Sequence, residues 1–442
     1  MVNWRAAEHL VPPEVRAIPD GGEVLAGLAA ATRPVARLTY VDADELYLSW
    51  VWDHAPAHPR MVVLPRAHIA PGLELLRAAL PSPLPSETGH QALERALGGG
   101  DFTDPAREQR LATALTSCVI PQRLGLELNA LESRGFRPHL RIQPSPSTAQ
   151  LPWELLGTSG TDRLTDMVDI STLLPASLRN GAGRAVSAWD PRGAVVTALD
   201  PAVPGFGETS ELGSVLGPVA PGSPLAEMVA ALGDRARPGG NAFRRNDFGR
   251  DRLVAELDGA SRFLYVGHVT ASTHALDSRM HLSDGAGTTG HAEPVNGHRP
   301  FTAADIVLGH GPAEPLRAPN RVALVACESG GDLRFAEPTG LVAAFTHRGA
   351  EYVTATRWTL PTEAGLRRYV PGLGDRAAGV LAEAILAVNA AHESPDPVAA
   401  LNAWQRAQAH RWIETGDLRC TPLIWAAFHT AWSPPPPDLR QR

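Results

Sequence analysis

The chain has 442 residues, 44% of them hydrophobic and 20% charged, enough for a sizeable core and a length that suggests two or three domains. Its formal net charge of -7 is mild, which excludes the electrostatic footprint of a nucleic-acid or membrane-surface binder. All 40 basic residues are arginine, which excludes catalytic-lysine and Schiff-base chemistry.

The amino terminus, MVNWRAAEHLVPPEVRAIPD, lacks an apolar core of signal-peptide length, and no run of about eighteen apolar residues exists for a membrane helix, so a cytoplasmic protein is expected. Ala36 to Trp52 alternates well enough for two strands or a hairpin, and MVVLPRA reads as another short strand. Pro81 to Asp104, with its Pro, Ser and Gly, reads as a surface loop or linker. The stretch after it, PAREQRLATALTSCVIPQRLGLELNALESRG, carries apolar residues at helical steps and places Cys118 on an apolar face. PHLRIQP is a predicted strand, followed by turns and LPWELL.

A different rhythm begins near Gly193. GAVVTALDP is a predicted buried strand ending at Asp200, then two helices, then the buried strand SRFLYVGH. After a Gly- and His-rich insertion come a short helix at TAADIV and the strand of RVALVACESGG. EPTGLVAAFTHRG is a predicted helix, AEYVTATRW a strand, two longer helices follow, and PLIWAAFHTAW closes as a last strand. Strand and helix alternating over this length imply a doubly wound, mostly parallel sheet flanked by helices, with an α+β region before it.

Two of these strands end on groups able to do chemistry. The apolar run Val322 to Ala326 delivers Cys327 into a glycine-rich turn, and Phe263 to Val266, broken by Gly267, presents His268. Neighbouring parallel strands bring such residues to one rim of the sheet, where an imidazole takes up the thiol proton or stabilises the attacking thiolate. Taken singly, each is more readily a core residue. Cys118, Cys327 and Cys420 are odd in number, far apart and out of metal-ligand spacing, so neither a disulfide framework nor a zinc site is expected. The insertion histidines His274, His281, His291, His298 and His310 match no ligand pattern and read as solvent-exposed loop residues, so no metal and no cofactor is expected.

LPWELL, FLYVGH, RVALVACESGG, EPTGLVAAFTHRGAEYVTATRW and PLIWAAFHTAW, in that order, resemble a CHAT domain, a caspase-like cysteine peptidase of the clan of caspases, metacaspases and separase. The resemblance covers roughly Leu115 to Trp432. It implies a caspase-like fold, with Cys327 as nucleophile and His268 as general base. It also implies an oxyanion hole from the backbone N–H groups of Cys327 and Val269, such donors contributing about 3 to 4 kcal/mol each. Relatives commonly carry Gly after the histidine, and Val269 does not readily take the positive φ that glycine permits.

For specificity, the resemblance implies a substrate laid by β-addition along Val353 to Trp358. Trp358 is then a wall of the first pocket or a packed core residue. Asp200 stands where relatives that cleave after basic residues keep a carboxylate, and in LDP it also reads as a turn-forming Asp. Asp332 is a further candidate. The implied organisation is an amino-terminal mixed region, 1–114, the first part of the CHAT region, 115–186, a catalytic core, 187–432, and a Pro-rich tail, 433–442. The implied function is cleavage of a partner protein in bacterial defence or regulated cell death, with a separate sensor or activator protein. The alternative is a catalytically silent binding module.

Overall fold

The computed structural model describes residues 22–29, 32–158, 160–311, 315–335 and 338–435, without the side chain of Asp332. The first 21 residues of the amino-terminal region and the tail beyond residue 435 lie outside them. The chain divides into two compact units, one of residues 1–173, 365–376 and 401–426, the other of 174–364, 377–400 and 427–442.

In the first unit β1 (Val35–Asp42) and β2 (Leu46–Trp52) form the expected hairpin, with Ala36, Leu38 and Tyr40 alternating inward against Leu48, Trp50 and Trp52. β3 (Arg60–Leu64) pairs antiparallel with β2. The helices α1 (Arg66–Ala79), α2 (Gly89–Gly99), α3 (Pro105–Val119) and α4 (Gln122–Glu132) precede β4 (His139–Gln143), which runs parallel to β1. After α5 (Leu164–Met167), β5 (Asp169–Thr172) runs parallel to β4. The stretch expected to be a loop, Pro81 to Asp104, contains α2, started by a capping box in which Thr88 and Gln91 satisfy each other's backbone N–H groups. The long helical stretch is two helices, because α3 ends at Ile120, before Pro121.

The second unit opens with α6 (Ala176–Arg179), β6 (Val195–Leu199), α7 (Pro224–Leu232), β7 (Ala236–Arg237), α8 (Arg250–Leu257) and β8 (Arg262–Gly267). Next come the short strands β9 (Val269–Thr270), β10 (Arg279–Met280) and β11 (Phe301–Thr302), then α9 (Ala303–Leu308), β12 (Arg321–Ala326), α10 (Leu341–His347) and β13 (Tyr352–Thr356). α11 (Glu363–Tyr369), α12 (Val380–Glu393), α13 (Pro397–Thr415), α14 (Pro422–Trp425) and β14 (Phe428–Trp432) complete the chain, with most of α11 and α13 and all of α14 belonging to the first unit, and PLIW, expected to be strand, is helical.

The strand order in the second unit is β14-β13-β12-β8-β6-β7, parallel throughout except for β14 against β13. β6, β8 and β12 are buried along their whole length, which is why their sequences are continuous apolar runs rather than alternating ones. This is the expected mixed α/β class, a mostly parallel sheet flanked by helices. At the amino-terminal ends of β8 and β12 two buried arginines lie in register. Arg262 pairs with Glu393, and Arg321 donates to the carbonyls of His392 and Ser394, both at 2.6 Å, where α12 ends. The opposite ends of the same strands carry the candidate site.

Candidate active site

Gly267 and Ala326 are partners in the parallel ladder of β8 and β12. The next residues on the two strands are His268 and Cys327, so an imidazole and a thiol leave adjacent strands at the same level of one rim. Both are half-buried.

The turn after Cys327 is built to hold it. Glu328 sits in the left-handed region at φ 50°, which folds the chain back on itself. Its N–H donates to the carbonyl of Trp358 at 3.2 Å, and Gly330 N–H donates to that of Thr356 at 2.9 Å. Ser329 Oγ donates to Leu324 O at 2.7 Å and accepts from Thr356 N at 3.0 Å. A Cβ at Gly330 would lie 2.2 Å from Nε2 of the buried His429, so only glycine fits there. The thiol donates to the carbonyl of Leu360 at 3.7 Å. Burial pushes the Cys327 thiol up to about 11.

His268 Nε2 lies 2.8 Å from the carbonyl oxygen of Gly213. A carbonyl only accepts, so Nε2 carries the proton. Burial holds this imidazole below its ordinary range, the Gly213 bond and the charge of Asp200 opposing. In the neutral ring the bare nitrogen is then Nδ1, free to act as a base. Gly213 belongs to a loop organised by Asp200, itself at φ 54° and 1% exposed. The Asp200 carboxylate accepts from Ser214 Oγ, from Val215 N at 3.0 Å and from Leu216 N at 3.4 Å, with Arg244 Nη1 at 3.6 Å. Its oxygens are engaged inside the protein, with a loop fourteen to sixteen residues further on.

Val269 lies in extended β9, paired with β10 at Met280, and takes no positive φ. Behind it Thr270 Oγ1 lies 3.0 Å from His281 Nε2, His281 Nδ1 lies 3.1 Å from His298 Nε2, and His298 Nδ1 lies 2.7 Å from Asp284 O. The terminal carbonyl fixes the proton order along this chain. His281, His298 and His310 are therefore not the exposed loop residues expected from their setting: all three are buried, and His310 bonds Asp251 at 2.9 Å. His274 and His291 are exposed. No group of three or more His, Cys, Asp or Glu residues able to hold a metal ion occurs among the described residues.

The expected β-addition along Val353 to Trp358 is corrected by the ladder. β13 is paired on one side with β12 and on the other with β14, and Arg357 N–H is taken by Ala427 O at 2.9 Å, so this segment has no open edge to receive a strand. Trp358 is fully buried, packed in the core beneath the Cys327 turn. Asp332 lies in the short helical turn Gly331–Arg334, its side chain outside the described residues. Cys118 and Cys420 are buried, the former donating to His68 O at 3.2 Å. Gly213 and Tyr265 escaped the sequence reading. Gly213 lies in a loop without periodicity, whereas the spacing of Tyr265 and Gly267, two apart on one strand face, was a legible signal.

The second unit is thus a mostly parallel α/β sheet with a histidine and a cysteine at the carboxyl ends of adjacent strands. The CHAT domain family model matches residues 109–432, and the chain belongs to that family. Among solved structures the chain is similar to the Saccharomyces cerevisiae separase–securin complex at 2.6 Å and 3.0 Å resolution, with TM-scores of 0.45 and 0.42 and 12% identity in each. The similarity covers 90% of this chain and 30% of the other, so the chain spans less than a third of the length of those relatives. No curated protein matches the chain. No helix among the described residues is long and apolar enough to cross a membrane.

Proposed function

We propose that the chain is a cysteine endopeptidase that cleaves a partner protein through Cys327 and His268. The observation that carries this reading is the pairing of Gly267 with Ala326, which puts His268 and Cys327 next in the chain after paired residues of adjacent parallel strands.

In the proposed reaction Cys327 Sγ attacks the scissile carbonyl while its proton passes to His268 Nδ1. The imidazolium keeps its Nε2–H on Gly213 O and is stabilised by the nearby charge of Asp200. The backbone N–H groups of Val269 and Cys327 receive the oxyanion. The C–N bond then breaks, Nδ1 returns the proton to the leaving amine, and water activated by Nδ1 cleaves the thioester and restores the thiol. Asp200 in this scheme serves the histidine rather than a basic substrate side chain.

The resting thiol is protonated and turned toward Leu360, and the imidazole is bonded elsewhere, which supports an activating partner as part of the proposal. The setting carried by the resemblance, bacterial defence or regulated cell death, belongs to it as well. The same disengaged thiol favours a second reading, a binding module whose dyad is idle.

The two are separated by identifying new protein N-termini in cells expressing the wild type, Cys327→Ala or His268→Ala. The peptidase reading expects a set of cleavages present only in the wild type. Identical N-terminal profiles in all three, under conditions that induce the protein's native neighbours, would leave the binding module.

A further inference from the structure

Tyr265 is fully buried on β8, and a buried hydroxyl needs a partner. It lies 2.7 Å from the carbonyl oxygen of His268 and 2.9 Å from that of His281, its one proton shared between them. The His268 carbonyl also accepts from His281 N–H at 3.1 Å. A trans peptide unit is planar, with its N–H opposed to its C=O. Two donors that fix the His268 carbonyl therefore fix the direction of the next N–H, that of Val269.

The ladder adds a second constraint. Because His281 bonds His268, the adjacent pair Val269 and Met280 is the one that exchanges no hydrogen bonds in an antiparallel ladder. The Val269 N–H is thus turned away from β10 and not consumed by it. Gly267 makes the arrangement possible: a Cβ there would lie 2.7 Å from Tyr265 Oη and 2.8 Å from Cζ. Its φ is not positive, so the glycine serves space rather than backbone freedom.

We infer that Tyr265 is a positioning residue for the oxyanion hole, clamping the peptide between His268 and Val269 so that a β-branched residue presents a fixed backbone donor. The inference rests on the peptidase reading. Gly267 is part of the same device, since it admits the ring.

Two probes test it on the whole chain. Iodoacetamide alkylates Cys327 by displacing iodide and forms no oxyanion, whereas a pool of tripeptide aldehydes adds the thiol across a carbonyl and leaves a hemithioacetal oxygen in the hole. In Tyr265→Phe the alkylation rate is expected to stay within about twofold of wild type. Protection of Cys327 by the aldehydes is expected to weaken about tenfold or more, and kcat on cleaved peptides to fall by a similar factor at unchanged KM. Should Tyr265→Phe not fold, Gly267→Ala displaces the hydroxyl without removing it and carries the same expectations. Aldehyde affinity within about twofold of wild type, or an equal fall with both probes, overturns the inference while leaving the peptidase reading in place. A wild-type Cys327 that no aldehyde protects even in extracts of cells in which the protein's native neighbours are induced removes that reading and this inference with it.

Discussion

Asp200 and His268 share no hydrogen bond, yet the carboxylate of one fixes the acceptor used by the other. Asp200 gathers Ser214, Val215 and Leu216, and the carbonyl of the residue before them, Gly213, holds Nε2 of His268. Both the charge of Asp200 and the Gly213 bond raise the affinity of His268 for a proton, against burial, which lowers it. Replacing Asp200 with Asn removes the charge and loosens the loop, and both changes act in one direction. The acid limb of the pH–rate profile, which reports protonation of the base, is expected to move to lower pH, with kcat/KM down about tenfold at neutral pH. An acid limb left in place by Asp200→Asn would mean that the loop and the imidazole are uncoupled.

The thiol makes the opposite demand on the solvent. With burial pushing Cys327 up to about 11, the thiolate fraction near pH 7 is on the order of 10⁻⁴. Iodoacetamide labelling of Cys327 in the isolated chain is therefore expected to rise about tenfold per pH unit from 7 to 10. The charge of Glu328 adds to this suppression, so Glu328→Gln is expected to label a few-fold faster at a given pH. A rate already flat at neutral pH would reveal a preformed thiolate–imidazolium pair instead.

Much of this site was legible because β6, β8 and β12 are buried on both faces and announce themselves as unbroken apolar runs, two of which end directly before His268 and Cys327. What stayed hidden depends on partners distant in the chain. β5, Asp-Ile-Ser-Thr, has no apolar rhythm, and it is buried because Arg137 Nε meets Asp169 at 3.0 Å, His139 meets Ser171 at 2.8 Å and Asn402 accepts from Ile170 N at 2.5 Å. His281 and His298 read as loop polarity, and they satisfy each other inside the fold. The β-addition expected at β13 failed because strand neighbours are set by topology, which local composition does not encode.

Those buried histidines have a thermodynamic consequence. Burial holds His281 down to about 3, lowers His298, and holds His392 and His429 well below their ordinary range. In the unfolded chain each titrates near 6.5. Below that pH the unfolded state takes up protons that the folded state refuses, so stability is full above about pH 6.5 and is lost as pH falls toward the folded values, by about 1.4 kcal/mol per pH unit for each histidine. Urea denaturation from pH 6.5 down to 5 is expected to lose stability, with a slope that steepens toward about three protons as the unfolded counterparts of His281, His392 and His429 charge. His281→Gln, which keeps a donor and an acceptor, is expected to lower that slope by about one. A flat profile over this window would mean that these rings are protonated in the fold.

Any side chain added at Gly330 would run into His429 beside the nucleophile's turn. The space that a Cβ at Gly330 needs is already held by the Nε2 edge of His429, with Thr356 O at 3.2 Å on another side. Gly330→Ala must push apart the Cys327 turn and β14, and overpacking of this kind costs about 1 to 3 kcal/mol. It is expected to lower the denaturation midpoint and, because Gly330 N–H is held by Thr356 O, to shift the turn and cut activity more than stability. His429→Ala opens the space from the other side. The double variant is expected to be less destabilised than the sum of the singles by about 1 kcal/mol or more, and to regain activity that Gly330→Ala lost. Strict additivity in both readouts would show that the turn does not lean on the imidazole, and that the glycine serves only the backbone.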